Sequence, residues 1–468
     1  MMIALFVFFF LFEVFVTTLP ALAASHPNIV FILTDDQAAW TIRSLGNHQA
    51  YTPNLDGFFD QSVVLSNCFV TTPVCSPSRA CLMTSRYGSE LGITDWINPK
   101  VEPQTGLDSS FTTWPEVLQQ NGYETCLIGK WHLGTEERYH PRHHGFDHFK
   151  GFLAGGVVVE NPALIIEDAT QEFKGFTDDI LTGLAVDFLS GRESTQPFLL
   201  CLHLRAPHAP WLPAQEVDTH HYQGMDPIIP NPSFPDLDIE SVKRRTREYL
   251  GSVTSVDRNV GRILETLEKG GMNQNTVVVF TSDNGYNIGH NGIWHKGNGH
   301  WITLATRGLK GDDPRLQRPN MYDHSLRVPT AIRWTGRLPE KTTISHTISF
   351  LDWFPTLLAL AGVPSATEES IRGRNFMPLL EGKPIEWDDS LYGEYYQHHY
   401  TTAGLEMYRT PEWKLIIDRK NTGKDELYHL SEDPGETKNL IDDPSVQPIR
   451  DGLLKSLEVR IPRKKQDG

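Results

Sequence analysis

Four stretches of the chain are almost continuously apolar, without the alternation of a half-exposed strand, and each runs into a polar cluster. Asn28-Ile-Val-Phe-Ile-Leu33 ends at Thr34-Asp35-Asp36. Thr125-Cys-Leu-Ile128 leads into Gly129-Lys130-Trp131-His132. Phe198-Leu-Leu-Cys-Leu202 leads towards Ala206-Pro207-His208, and Thr276-Val-Val-Val-Phe280 into Ser282-Asp283-Asn284-Gly285. Such runs predict parallel strands buried on both faces, with polar residues at their carboxyl ends. Helical patterns separate them, over Trp114–Asn121, Asp178–Ser190 and Lys243–Lys269. Strands alternating with helices predict an α/β fold, a large mostly parallel sheet flanked by helices. In such sheets ligands bind beyond the carboxyl ends of the strands.

Beyond Trp353–Gly362 the pattern changes. Trp413–Ile417 reads as a strand, Asn421-Thr-Gly423 as a turn and Leu427–Leu430 as the returning strand. Residues 385–468 are therefore expected to form a small antiparallel subdomain after a catalytic α/β domain at 25–384. At the other end, Ile3–Val16 is strongly apolar and Ala21-Leu-Ala23 is a small-residue cleavage site. Residues 1–24 read as a signal peptide, which predicts a periplasmic or secreted protein with no stable membrane span.

The 468 residues carry a formal net charge of −16. That excludes nucleic acid as the main partner. Attraction for any anion must be local. Five cysteines are present, and Cys68, Cys75, Cys81, Cys126 and Cys201 show no paired metal motif. An odd count in an exported protein leaves a free thiol, and Cys75 is the candidate.

Cys75-Ser-Pro-Ser-Arg79 sets that thiol four residues ahead of a permanent cation. A helix over Ser78–Tyr87 would put Cys75 at a helix N-terminus, a setting that favours an anionic substrate group. Asp35, Asp36, Asp283 and Asn284 form an all-oxygen set suited to Ca²⁺ or Mg²⁺ rather than zinc or copper. Lys130 suits a charge clamp and His132 a general base, two residues apart. His208 is held between Pro207 and Pro210, and Lys296 lies in the glycine-rich segment Trp294-His-Lys-Gly-Asn-Gly299.

With these residues in view, the chain resembles the type I sulfatases of the alkaline-phosphatase superfamily. Cys75-Ser-Pro-Ser-Arg79 matches the family's C-x-P-x-R core, and Gly122–His132 its second signature. Thr52–Asp56, Gly145–Asp147, Leu326–Pro329 and Glu426–Pro434 extend the match. The resemblance implies that a formylglycine-generating enzyme oxidises Cys75 to formylglycine. It implies that Asp35, Asp36, Asp283, Asn284 and the oxidised side chain at 75 hold a divalent ion, usually calcium. Arg79 and Lys130 then stabilise the hydrated aldehyde and the sulfate oxygens, His132 is the base, and His208 and Lys296 face the leaving group. The implied substrate is a sulfated saccharide or a small sulfate ester. A formylglycine-dependent phosphodiesterase or phosphonate monoester hydrolase is the rival enzyme reading, and an unmatured secreted glycan-binding protein the rival non-enzyme.

Two departures stand out. Ser85 replaces the glycine usual after Thr84. Residues Ile302–Arg318 look like an insertion carrying Arg307, Lys310, Arg315 and Arg318; Lys310 is thus an alternative to Lys296, and the basic loop a possible contact for a sulfated glycan. Trp211, Trp301 and His143-His144 have two readings, a sugar subsite or, more commonly for such residues, simple rim packing.

Overall fold

The computed structural model describes residues 26–192, 194–310, 313–364 and 371–461. The leader, residues 1–24, lies outside them. The strands, in chain order, are β1 (Asn28–Thr34), β2 (Val63–Phe69), β3 (Glu124–Lys130), β4 (His148–Phe152), β5 (Ala163–Ile166), β6 (Ala169–Glu172), β7 (Phe198–His203) and β8 (Thr276–Ser282). Short strands β9 (Asn287–Ile288), β10 (Ile293–His295) and β11 (His300–Trp301) follow. Then come β12 (Ala331–Trp334), β13 (Thr342–Ser349), β14 (Leu391–Tyr395), β15 (Leu405–Arg409), β16 (Trp413–Asp418) and β17 (Glu426–His429).

Ten strands form one sheet in the order β13-β2-β12-β8-β1-β7-β3-β4-β5-β6. Its centre, β8-β1-β7-β3, is parallel and consists of the four apolar runs. Every residue of β8 is buried, as the continuous pattern requires. The sheet is mixed further out: β12 runs antiparallel to both β8 and β2, and β5 and β6 form an antiparallel edge. The fold is thus a large, mostly parallel sheet flanked by helices.

Helices cover both faces. Trp114–Gln120 begins with a capping box in which Thr113 accepts from Glu116 N at 3.3 Å and Glu116 accepts from Thr113 N at 2.6 Å, satisfying two N-terminal donors. The long helix spans Ile239–Lys269, four residues earlier than the sequence pattern indicates, because Asp238 caps it. Its buried side chains Val242, Thr246, Tyr249, Val253, Val256, Val260, Ile263 and Leu267 recur every three or four positions, the stripe of a helix packed on a sheet. Among the described residues no helix is long and apolar enough to cross a membrane.

The last four strands make a separate antiparallel sheet, β14-β15-β16-β17. Helix Gln447–Arg460 covers one face through Leu453 and Leu457, packing near Leu415 and Leu427. The other face joins the main core through Tyr395, Met407 and Ile416. A buried ion cluster bolts the two sheets together. Lys414 Nζ lies 2.5 Å from Asp323 Oδ1 and 2.6 Å from Glu436 Oε1, while Arg409 reaches Asp323 at 2.9 Å.

Candidate active site

The carboxyl ends of β1, β3 and β8 converge, and the side chains just beyond them meet. Asp35 and Asp36 follow β1, Asp283 and Asn284 follow β8, and Lys130 closes β3. Oxygens of Asp35, Asp36 and Asp283 lie within 4.8 Å of one another. Each carboxylate also faces a cation: Lys130 Nζ is 2.6 Å from Asp35, Lys296 Nζ 2.5 Å from Asp36, and Arg79 Nε 2.8 Å from Asp283. All six side chains are buried.

The helix bearing the thiol spans Cys75–Thr84, so it starts and stops three residues before the expected span. Cys75 is its first residue, and all ten residues are buried. Cys75 Sγ is 2.7 Å from Lys296 Nζ and 3.6 Å from Asp35 Oδ1. Arg79, one turn on, also donates to Lys130 O at 3.0 Å. Ser78 Oγ donates to the backbone carbonyl of Asp283. The helix ends at Ser85, whose φ of 56° is left-handed, a conformation glycine adopts without strain. Serine is held there by donating to Leu351 O at 2.7 Å and accepting from Gly373 N at 2.8 Å.

Strain collects at the site. Asp36, His132 and His295 have φ of 69°, 60° and 86°. A non-glycine residue in this region costs about 1–3 kcal/mol and persists only where its surroundings hold it. Asp36 N donates to Asp283 Oδ1 at 3.1 Å, which fixes the first of them. Gly129 is required for a different reason. A Cβ there would sit 1.9 Å from His203 O, and its φ is +115°.

A cavity of 660 Å³ opens onto the sulfur. His132, His208 and Lys296 line it. His132 Nε2 is 3.0 Å from Ile97 O, so that nitrogen carries the proton, and its buried Nδ1 has no partner among the described residues. Burial and the nearby Lys130 hold its pKa well below the usual histidine value. His208 Nδ1 faces Ala209 O at 2.5 Å and its Nε2 lies 3.8 Å from Asp36 Oδ2. Burial pushes the Cys75 thiol up to about 12.

The donor set fits a hard cation. Asp36 Oδ2 and Asn284 Oδ1 are buried oxygens without a hydrogen-bond partner among the described residues. Orphaned buried acceptors are costly, and a bound ion of the calcium or magnesium class satisfies both.

The structure therefore brings together Cys75, Arg79, Lys130, His132, His208, Lys296 and the oxygen-bearing residues Asp35, Asp36, Asp283 and Asn284. Lys296, not Lys310, reaches the centre; Lys310 lies on the exposed insertion. Trp211, Trp301, His143 and His144 do not line this cavity. Trp211 is buried against Tyr249 and Tyr286. His144 is buried beside Trp131, and exposed His143 pairs with Glu137. Trp301 lies in a neighbouring groove. The rings that do line the cavity are Trp96 and Tyr400, with centroids 5.9 Å apart, together with His295 and His300. His203, at the end of β7, was also missed; it lies 3.1 Å from Lys130 O and 3.5 Å from Arg79. Its signal was its place one residue past an apolar run.

Known proteins share this arrangement of chain. A family model described as Sulfatase matches residues 27–363, and one described as N-sulphoglucosamine sulphohydrolase, C-terminal, matches residues 314–463. The N-acetylglucosamine-6-O-sulfatase of Bacteroides thetaiotaomicron is 26% identical over 521 residues, covering 92% of this chain and 86% of that protein. Human steryl-sulfatase is 28% identical over 473 residues, covering 85% and 77%. A solved structure of a protein with its substrate D-glucosamine-2-N,6-O-disulfate has a TM-score of 0.78 at 25% identity, covering 93% of this chain and 97% of that one. With its Cys75–Arg79 motif, its carboxylate cluster and a family match over most of its length, the chain belongs to the sulfatase family.

Proposed function

We propose that this protein hydrolyses the sulfate ester of a sulfated carbohydrate, with Cys75 matured to formylglycine and a divalent cation, Ca²⁺ or alternatively Mg²⁺, held by Asp35, Asp36, Asp283 and Asn284. One observation carries the reading: the Cys75 sulfur faces a roomy cavity while an ammonium and a carboxylate stand 2.7 and 3.6 Å behind it. A thiol with a pKa near 12 is protonated at neutral pH and a poor nucleophile. Formylglycine hydrated by water to a geminal diol would instead supply one hydroxyl to attack sulfur as the S–O bond to the departing alcohol breaks, and a second whose deprotonation would expel sulfate and restore the aldehyde, while a cation held by Asp35, Asp36, Asp283 and Asn284 would supply charge for the sulfuryl oxygens.

The chain's own residues do the rest. Arg79 and Lys130 present cations to the sulfate oxygens, and Arg79 keeps one terminal nitrogen without a partner among the described residues. Charge fixed in a buried site acts far more strongly than in water. His132 donates from Nε2 to Ile97 O, which leaves Nδ1 to accept a proton. His208 is anchored by donating from Nδ1 to Ala209 O, so Nε2 is the nitrogen that faces the departing oxygen, and it gives up a proton there from the doubly protonated imidazolium. Lys296 supports the same side. Trp96 and Tyr400 offer ring faces to a sugar. The N-acetylglucosamine-6-O-sulfatase among the relatives and the neighbour solved with a disulfated glucosamine support a carbohydrate, while steryl-sulfatase keeps a small sulfate ester as the second reading. The apolar leader supports export, to the periplasm or beyond, after or during maturation by a formylglycine-generating enzyme.

Mass spectrometry of the Cys75 peptide, with turnover of sulfated saccharides, an aryl sulfate and an aryl phosphate diester, tests this. The expected result is an aldehyde at position 75 and desulfation as the fastest reaction. Dominant diester cleavage, or an intact thiol with no turnover, overturns it.

A further inference from the structure

The insertion Ile302–Arg318 does not turn away from the site. Arg307 and Lys310 join Arg245, from the long helix, in lining a groove of 330 Å³ walled by Trp294, His300 and Trp301. His300 also lines the cavity that holds Cys75. The Trp294 ring packs on His295 and His300, with centroids 5.4 and 5.5 Å away. Groove and catalytic cavity thus share a wall.

The groove's cations are unequal. Arg307 is spent: it grips Asp238 with two nitrogens, at 2.7 and 2.8 Å. Arg245 is not. Its guanidinium lies 3.6 Å over the Trp294 ring, its Nε reaches Ser241 Oγ at 3.4 Å, and among the described residues no carboxylate pairs with it. The nearby acids are engaged, Asp238 by Arg307 and Glu248 by Arg244 at 3.2 Å. Lys310 makes no ion pair among the described residues either, although the chain as a whole carries a charge of −16. A half-buried guanidinium without a counter-charge is unfavourable on its own. Stacking on Trp294 occupies its face and leaves its N–H edge for a planar or tetrahedral oxyanion.

We propose that this groove is a second oxyanion subsite, in which Arg245 and Lys310 hold a sulfate or carboxylate of the substrate other than the sulfate being cleaved. The preferred substrate is then a saccharide with at least two anionic groups. This deepens, and rests on, the sulfatase reading of the Cys75 cavity.

The test compares kcat/KM for a monosulfated saccharide, a disulfated disaccharide and a disaccharide carrying one sulfate and one uronate. The last two separate sulfate from carboxylate as the held group. The wild type favours a dianionic substrate. In Arg245→Gln the ratio of dianionic to monoanionic kcat/KM falls ~10–100-fold, the size of one charge-assisted bond. Lys310→Ala, on an exposed loop where folding is not at stake, lowers the same ratio by at least about threefold. A ratio unchanged in both variants, or a wild type that prefers the monoanion, overturns the subsite. Calorimetry on Cys75→Ala protein gives a readout independent of turnover. If the wild type desulfates nothing, yet Arg245→Gln weakens binding of the disulfated disaccharide to Cys75→Ala, the groove stands and the catalytic reading falls. If binding is unaffected, the groove falls.

Discussion

The Lys296 ammonium lies 2.7 Å from the Cys75 sulfur while also contacting Asp36 Oδ1 at 2.5 Å. One cation therefore links the Cys75 side chain to the carboxylate cluster, and both partners are buried. Lys296→Ala removes that charge where negative charge develops. We expect kcat on an aryl sulfate to fall ~10²–10³-fold, with KM changing less. Lys296→Arg is not expected to restore it, because a planar fork does not fit a point-charge position. A loss of less than about threefold in Lys296→Ala refutes the role.

The orphaned oxygens of Asp36 and Asn284 make a second expectation. Chelation abolishes turnover, and calcium restores it. Calcium at ~100 times its Kd raises stability by about 2.7 kcal/mol. Thermal unfolding with and without calcium reads this directly. In Asp36→Asn the gain shrinks sharply. An equal gain in both proteins would place the ion elsewhere.

Asp323 predicts the strength of the joint between the two sheets. Lys414 and Arg409 hold its carboxyl below the usual range, against the cost of burial. Asp323→Asn leaves Lys414 and Arg409 short of a counter-charge and should cost ~3–5 kcal/mol at neutral pH. The folded-state pKa is depressed, so this stabilisation is present above the unfolded pKa, about 4, and is lost as pH falls through the folded value. Urea midpoints of wild type and variant should converge in acid; a constant gap would refute the ion pairing.

Asp257 has the opposite sign. Burial raises its carboxyl to about 6, although Leu55 N and Asn54 Nδ2 donate to it at 2.7 Å. Its charged form is disfavoured by folding. Stability is therefore highest below the unfolded pKa and declines as pH rises from about 4 to about 6, by ~3 kcal/mol for two units. Asp257→Asn keeps Oδ1 as an acceptor for Leu55 N, and Asn54 can flip its own amide so that its Oδ1 accepts from the new Nδ2. The pH dependence of unfolding between 4 and 7 should flatten in the variant; an unchanged slope would show that another group titrates.

Much of this was legible in the sequence because the central strands are buried on both faces, and such strands advertise themselves as unbroken apolar runs. Their ends carry polar clusters, so the apolar pattern alone places Asp35, Lys130 and Asp283 at one edge of the sheet. β2, β12 and β13 were not found. Their residues, as in Thr342-Thr-Ile-Ser-His-Thr-Ile-Ser349, mix polar and apolar positions because that edge is partly exposed. The rim was illegible for a second reason. Trp96 and Tyr400 lie some three hundred positions apart in the chain and meet only through the C-terminal sheet, whereas Trp211 and Trp301 looked suitable merely by lying near motifs. An aromatic residue in a loop carries no local mark of which cavity it will face.

Tyr400 stands on the loop between β14 and β15, far along the chain from Cys75, yet both border one hollow. Gatekeeping and bond-breaking are thus inherited on separate stretches of polypeptide. Drift in the nine loop residues between Tyr395 and Leu405 would redirect appetite without disturbing the reaction centre, which makes this kind of scaffold readily adaptable to new diets.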